Sequence, residues 1–250
     1  MEREELSLQY QPIVETCSQE IIGFEALLRW TSPIHGCVPP SIFIPLAEEN
    51  EVIQKIGKWV LEEACSFARR MAKMGKDNIC VAVNASPRQI AQVDFVSLVR
   101  HAIHNAGIQS NQLEIEITET VLITSEQESI RNLEELRDMG VRLSLDDFGT
   151  GYSSLTRLRF LPVSKLKIDK SFIDQILTDE TQLQYIQCIV NMGQILGLAV
   201  VAEGVETSMQ LEKLAQCQCE YIQGYLFSRP VGENDAMLLL DKKFKVEFIA

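Results

Sequence analysis

Histidine is scarce in this chain, with three in 250 residues at positions 35, 101 and 104, none of them inside a motif. That works against imidazole-based metal sites and histidine acid–base chemistry. Seven cysteines stand at 17, 37, 65, 80, 188, 217 and 219, an odd number at irregular spacing. The pattern excludes a disulfide framework and predicts reduced, packed thiols, and the lone C-x-C of Cys217 and Cys219 is too little for a zinc site. No run reaches the roughly 18 apolar residues of a membrane span. The opening MEREELSLQYQP lacks the apolar centre of a secretory signal. The expected location is therefore the cytoplasm, as a free chain or as the cytoplasmic part of a larger, even membrane-anchored, protein. Cations are outnumbered, 23 Lys and Arg against 35 Asp and Glu, for a formal charge of −12. Such a balance argues against broad binding to a nucleic-acid polymer or an anionic membrane.

What is present is enough apolar material, 46% of the residues, for a sizeable core. Leu6 to Val14 and Glu20 to Leu28 read as an antiparallel pair of strands across a polar turn. A proline-rich loop from Ser32 to Pro40 follows, then helices over Ser41 to Glu49 and Ile53 to Met74, the second with Ile56, Val60, Ala64 and Phe67 on one face. From there strands and helices alternate. The strands are Ile79 to Asn84, Leu113 to Ile117, Arg142 to Asp146, Lys165 to Ile168, Ala199 to Ala202 and Tyr221 to Gln223. The helices are Asp94 to Asn105, Ser125 to Met139, Ser153 to Arg159, Gln182 to Leu196 and Ser208 to Ala215. Eight strands in this rhythm predict an α/β fold closed into a (β/α)8 TIM-like barrel, with residues 1–250 as one domain. An open doubly wound sheet is the rival, although no GxGxxG fingerprint occurs.

Carboxylates and amides punctuate the strand ends. Glu25, Asn84, Glu116, Asp146, Asp147 and Glu203 each close an apolar run, and Lys167 sits within one. Anionic groups gathered at one barrel mouth repel one another unless cations neutralise them. Oxygen donors without sulfur or imidazole favour a hard divalent ion, Mg²⁺ or Mn²⁺. A metal-dependent hydrolase is the expectation from the residues alone.

The motifs also form an ordered set: YQPI at 10–13, EALLRW at 25–30, FIPLAEE at 43–49, VNASPRQI at 83–90, EITE at 116–119, DDFGTGYSSL at 146–155, KIDKSF at 167–172, AEGVE at 202–206 and QGYLFSRP at 223–230. In order and spacing they resemble the EAL domain family of cyclic di-GMP phosphodiesterases over nearly the whole chain. The resemblance implies a barrel with an antiparallel first strand that hydrolyses cyclic di-GMP to linear pGpG with two Mg²⁺ or Mn²⁺ ions. It makes Glu25, Asn84, Glu116 and Asp146 ligands of a first ion, with Asp146 and Asp147 on a second. Lys167 helps hold the attacking water, and Glu203 is either the general base or a water-mediated metal contact. Gln11 and Arg29 contact the substrate, Gln223 reads a guanine edge, and Tyr225 either stacks on a base or packs in the core. Glu119 anchors the DDFGTGYSSL loop, where Gly149 and Gly151 allow positive φ and Ser153 or Ser154 caps a helix. Ca²⁺ should inhibit, because it prefers longer bonds and more ligands. A homodimer is implied, as are fused or partner sensory or GGDEF modules. The second reading is a non-catalytic cyclic di-GMP receptor, which the retained metal ligands and loop disfavour. Two departures, Asn50–Glu51 after FIPLAEE and VNAS in place of VNVS, touch no catalytic position.

Overall fold

In strands such as Leu113–Thr118 and Lys165–Ile168, apolar side chains alternate with polar ones, and that alternation decides which face meets helices and which meets the lumen. The computed structural model describes residues 5–119, 127–149 and 158–246. Strand β1 (Leu6–Glu15) pairs antiparallel with β2 (Ile21–Ser32), which sets Gln11 directly across from Glu25. Parallel pairing then runs from β2 through β4 (Cys80–Ala85), β5 (Leu113–Thr118), β6 (Arg142–Phe148), β7 (Lys165–Ile168), β8 (Ala199–Ala202) and β9 (Tyr221–Gln223). β9 returns antiparallel to β1, with Ile13 opposite Gln223, and closes an eight-stranded barrel. The rival open sheet is thereby excluded, and the first strand is antiparallel as expected.

Outside the barrel wall, β3 (Gly36–Val38) pairs antiparallel with the far end of β2. Sequence reasoning expected only a loop there. β2 runs four residues past Leu28, so Trp30 to Ser32 offer an open backbone edge, and Gly36 makes the turn at φ 67°.

The wall is covered by α1 (Pro40–Glu49), α2 (Ile53–Lys73), α3 (Pro87–Ile90), α4 (Phe95–Ala106), α5 (Gln127–Asp138), α6 (Lys170–Ile173), α7 (Glu180–Leu196), α8 (Ser208–Gln216) and α9 (Glu233–Leu239). The longest, α2, buries Ile56, Val60, Ala64, Phe67 and Met71. Its Phe67 stacks on Tyr10 of β1 at 4.0 Å and meets Phe24 of β2 edge-on at 5.7 Å. α7 begins two residues earlier than expected because Asp179 accepts the N–H groups of Thr181 and Gln182. The expected helix over 153–159 lies mostly outside the described residues. No helix among those described is long and apolar enough to cross a membrane.

Candidate metal and phosphodiester site

The outward side chains of the strands, such as Val81, Val83, Leu113, Ile115, Leu143 and Leu166, are buried in the apolar layer under the helices. Their polar neighbours point the other way, into the barrel. Glu25 from β2, Glu116 from β5 and Asp146 from β6 bring carboxylate oxygens within 4.8 Å of one another. Asn84 from β4 donates through Nδ2 to Glu25 Oε1 at 2.8 Å. Gln223 from β9 donates to Glu25 Oε2 at 2.6 Å and to Gln11 Oε1 at 3.2 Å.

Lys167 is the hub of this cluster. The side chain is fully buried, and Nζ lies 2.6 Å from Glu203, 2.9 Å from Glu116, 3.3 Å from Glu25 and 3.4 Å from Asp146. β7 and β2 stand on different sides of the ring, so this side chain crosses the lumen. One ammonium faces four carboxylates and leaves an excess of three negative charges if all four ionise.

The protonation tendencies follow from that imbalance. Burial would raise the Glu25 pKa, but the Lys167 charge and the hydrogen bonds from Gln223 and Asn84 outweigh it and hold it below the usual value. Glu116 moves the other way: burial, reinforced by Glu25, pushes it well above the ordinary range despite Lys167. Asp146 is raised as well, chiefly by burial. Burial pushes Glu203 up to about 8 against the pull of Lys167, with Asp146 and Glu25 adding to the rise. Lys167 stays an ammonium, because Asp146, Glu116, Glu203 and Glu25 together overcome its desolvation. A cluster that favours retaining protons at neutral pH is one with room for further positive charge.

Asp147 is exposed and lies outside the three carboxylates drawn to within 4.8 Å. Its backbone takes φ 55°, and pairing between β6 and β7 shifts register between Leu145 and Phe148. Such an irregularity re-aims a side chain at a strand end. Partial desolvation at this strand end, then Asp146 and Asp169, raise its pKa to about 6, so its carboxylate shares the field of the cluster. Glu119 is buried just past β5 and is not among the three clustered carboxylates. The loop it was expected to anchor, with Gly151, Ser153 and Ser154, lies outside the described residues; Gly149 has the expected positive φ, at 97°.

The donor set suits a hard divalent ion: the atoms are oxygens, their charge is in excess, and Glu116 Oε1 is buried with no hydrogen-bond partner. Around these groups lies a cavity of about 270 Å³ lined by Gln11, Glu25, Asp146, Glu203, Gln223 and Tyr225. A second, of about 600 Å³, shares Leu27 with it and is lined by Arg29, Asn84, Pro40, Ile44, Glu48 and Arg88. Arg29 is held by Nε donating to Gln9 Oε1 at 2.8 Å and forms no ion pair among the described residues. Tyr225 is half exposed, with the Arg229 guanidinium 4.4 Å from its ring centre, so it is not core packing. Sequence reasoning did not select Arg88 or Ile44. Arg88 follows Asn84 by four residues, just past a strand end, and that placement was the available signal.

The EAL domain family model matches residues 1–230. The chain belongs to the EAL domain family. Among curated relatives, the oxygen sensor protein DosP of Escherichia coli is 47% identical over 234 residues, 92% of this EAL domain and 29% of DosP. The cyclic di-GMP phosphodiesterase NbdA of Pseudomonas aeruginosa is 45% identical over 228 residues, 91% of this chain and 29% of NbdA. The chain thus spans less than one third of the length of these two relatives. The solved structure of PaMucR phosphodiesterase in complex with c-di-GMP superposes with a TM-score of 0.90 at 42% identity, covering 94% of this EAL domain and 95% of that chain.

Proposed function

We propose that this EAL domain hydrolyses cyclic di-GMP to linear pGpG. The observation that carries the reading is the convergence of Glu25, Glu116, Asp146 and Glu203 on one lumen point around Lys167, beside a cavity large enough for a purine base. Supporting it are the family membership and the similarity to relatives whose names carry this activity.

Glu25, Asn84, Glu116 and Asp146 would hold one Mg²⁺ or Mn²⁺, and Asp146 with Asp147 a second. When bound, such a pair polarises a phosphoryl oxygen and lowers the pKa of an attacking water. Lys167, a fixed ammonium in a dry site, opposes the charge that develops at phosphorus. Glu203, in contact with Lys167 at 2.6 Å, takes the proton of the attacking water and later returns it. The water oxygen bonds to phosphorus, the P–O3′ bond breaks, and the proton ends on the departing 3′ oxygen. Arg29 supplies a rigid cationic donor for a phosphate oxygen. Gln223 lines the cavity and would read a guanine edge, while Gln11 Oε1 accepts from its amide nitrogen. Glu119 serves as the anchor of the loop after β6, and the barrel works as a homodimer attached to sensory or GGDEF modules.

Incubation with cyclic di-GMP and Mg²⁺ or Mn²⁺, followed by chromatography, should yield pGpG and should fail with EDTA. Glu25→Ala should abolish turnover while circular dichroism stays that of the parent. Ca²⁺ added to the Mg²⁺ reaction should suppress it, because six to eight oxygens at about 2.3–2.6 Å do not fit this compact donor set. Binding of the dinucleotide with no pGpG under any of these metals would make the domain a receptor instead.

A further inference from the structure

A second ionic layer lies below the first. Glu114 precedes Glu116 by two residues on β5, and Lys165 precedes Lys167 by two on β7, so strand alternation aims all four into the lumen. Lys165 Nζ donates to Glu114 Oε2 at 2.6 Å and to Oε1 at 2.9 Å. The Glu114 residue is 0% exposed and Lys165 6%. The thiol of Cys80 from β4 donates to the same carboxylate at 3.6 Å. This pair bridges over β6 at Ser144, which is in register with Glu116 on one side and Lys165 on the other.

Nothing in the catalytic scheme uses these residues, yet their position is unusual. Barrel interiors at this level are filled by layers of Val, Ile and Leu. A buried ion pair is no more stable than well-packed apolar residues of the same volume. Stability alone therefore gives weak reason for placing two charges here. At about 3.3 Å of rise per residue, the layer sits about 6.6 Å below the ring of Glu25, Glu116 and Asp146. No hydrogen bond joins the layers: Ser144 Oγ and Glu116 Oε1, at their boundary, are both buried without partners. What passes between them is electric field, weakly screened because Glu114, Lys165, Glu116 and Lys167 are all buried.

We propose that Glu114 and Lys165 form a charge-balanced floor that sets the affinity of the site above for its divalent cation, with Glu114 as the positioning residue that cancels the Lys165 ammonium. Uncancelled, that ammonium would stand beneath the bound ion and repel it. The inference rests on the metal-site reading above. It differs from a purely structural role by its sign, because deleting one charge of the floor must act opposite to deleting the other.

The test is a Mn²⁺ titration of the full chain, with free ion read by electron paramagnetic resonance and folding checked by circular dichroism. Glu114→Gln should raise the Mn²⁺ Kd by roughly tenfold or more, the size seen when groups behind metal ligands are removed. Lys165→Met should lower Kd below that of the parent. The double variant should return to within about twofold of the parent, since the two effects cancel. An unchanged Kd in Glu114→Gln, or equal weakening in all three variants, would overturn the proposal. Should Glu114→Gln fail to fold, a raised Kd in Lys165→Met or in the double variant overturns it just as well. A parent protein that binds no Mn²⁺ would instead refute the metal-site reading itself.

Discussion

Lys167 shows how one residue can hold a site together before any ion arrives. Its ammonium is the only cation in contact with Glu25, Glu116, Asp146 and Glu203 among the described residues. Removing it leaves buried carboxylates facing one another, and breaking buried pairs costs about 3–5 kcal/mol. Lys167→Met should therefore lower the metal-free unfolding free energy by about that amount, and Mg²⁺ should restore part of it. Urea denaturation with and without the ion reads both effects, and an unchanged midpoint would count against the hub. At this scale the sequence singled out Glu25, Glu116, Asp146, Lys167 and Glu203, and the fold brings these five side chains together. The resemblance implied a holder of water, whereas the structure makes Lys167 the counter-charge of four acids. The reason is geometric, since spacing along a strand shows which face a lysine takes but not what stands across the lumen.

Among the elements, β6 is where regularity gives way to chemistry. Its pairing with β7 shifts before Phe148, Asp147 adopts φ 55°, and Gly149 follows at φ 97° against the ring of Phe172. A Cβ on Gly149 would lie 2.7 Å from that ring, in a backbone conformation that side chains rarely adopt. Gly149→Ala should cost about 1–3 kcal/mol and misalign Asp146 and Asp147. Urea titration reads the first effect, and turnover with a Mn²⁺ titration reads the second; parental values in both would show that the strand end tolerates the change. Elsewhere element order was legible from periodicity, as for Lys165–Ile168 and Ala199–Ala202, whose bounds agree with expectation. The short pieces β3, α3, α6 and α9 were not expected. Each is four residues or fewer, or a short helix near the end of the barrel, and so too brief to show a period of its own.

For the molecule as a whole, the clustered acids make stability depend on pH. Glu203 has an ordinary value of 4.5 raised to about 8, and Asp147 one of 3.8 raised to about 6. Between the unfolded and folded values the native chain holds more protons than the unfolded one, so each rise in pH favours unfolding. The metal-free protein should thus lose stability from about pH 4.5 to about pH 8 as these groups ionise against burial and the acids beside them. Glu25, held low, contributes in the opposite direction only below its ordinary value. Because protons and Mg²⁺ compete for the same oxygens, the ion should raise the thermal midpoint more at pH 8 than at pH 5.5. Scanning fluorimetry across that range checks it; an ion-induced shift independent of pH would contradict it.

What the sequence determined alone was the order of strands and helices and the kind of chemistry, because periodicity and donor type are local properties of a chain. Only the tertiary structure decided that Lys167 reaches Glu25, 142 positions away. It also decided that Glu114 and Lys165 meet inside the lumen below the site, in strands whose charged residues look from the sequence like interruptions of apolar runs. Closing the ring turned those interruptions inward together, and charge balance across a lumen is set by which strands face one another, a property of the closed barrel and not of any one strand.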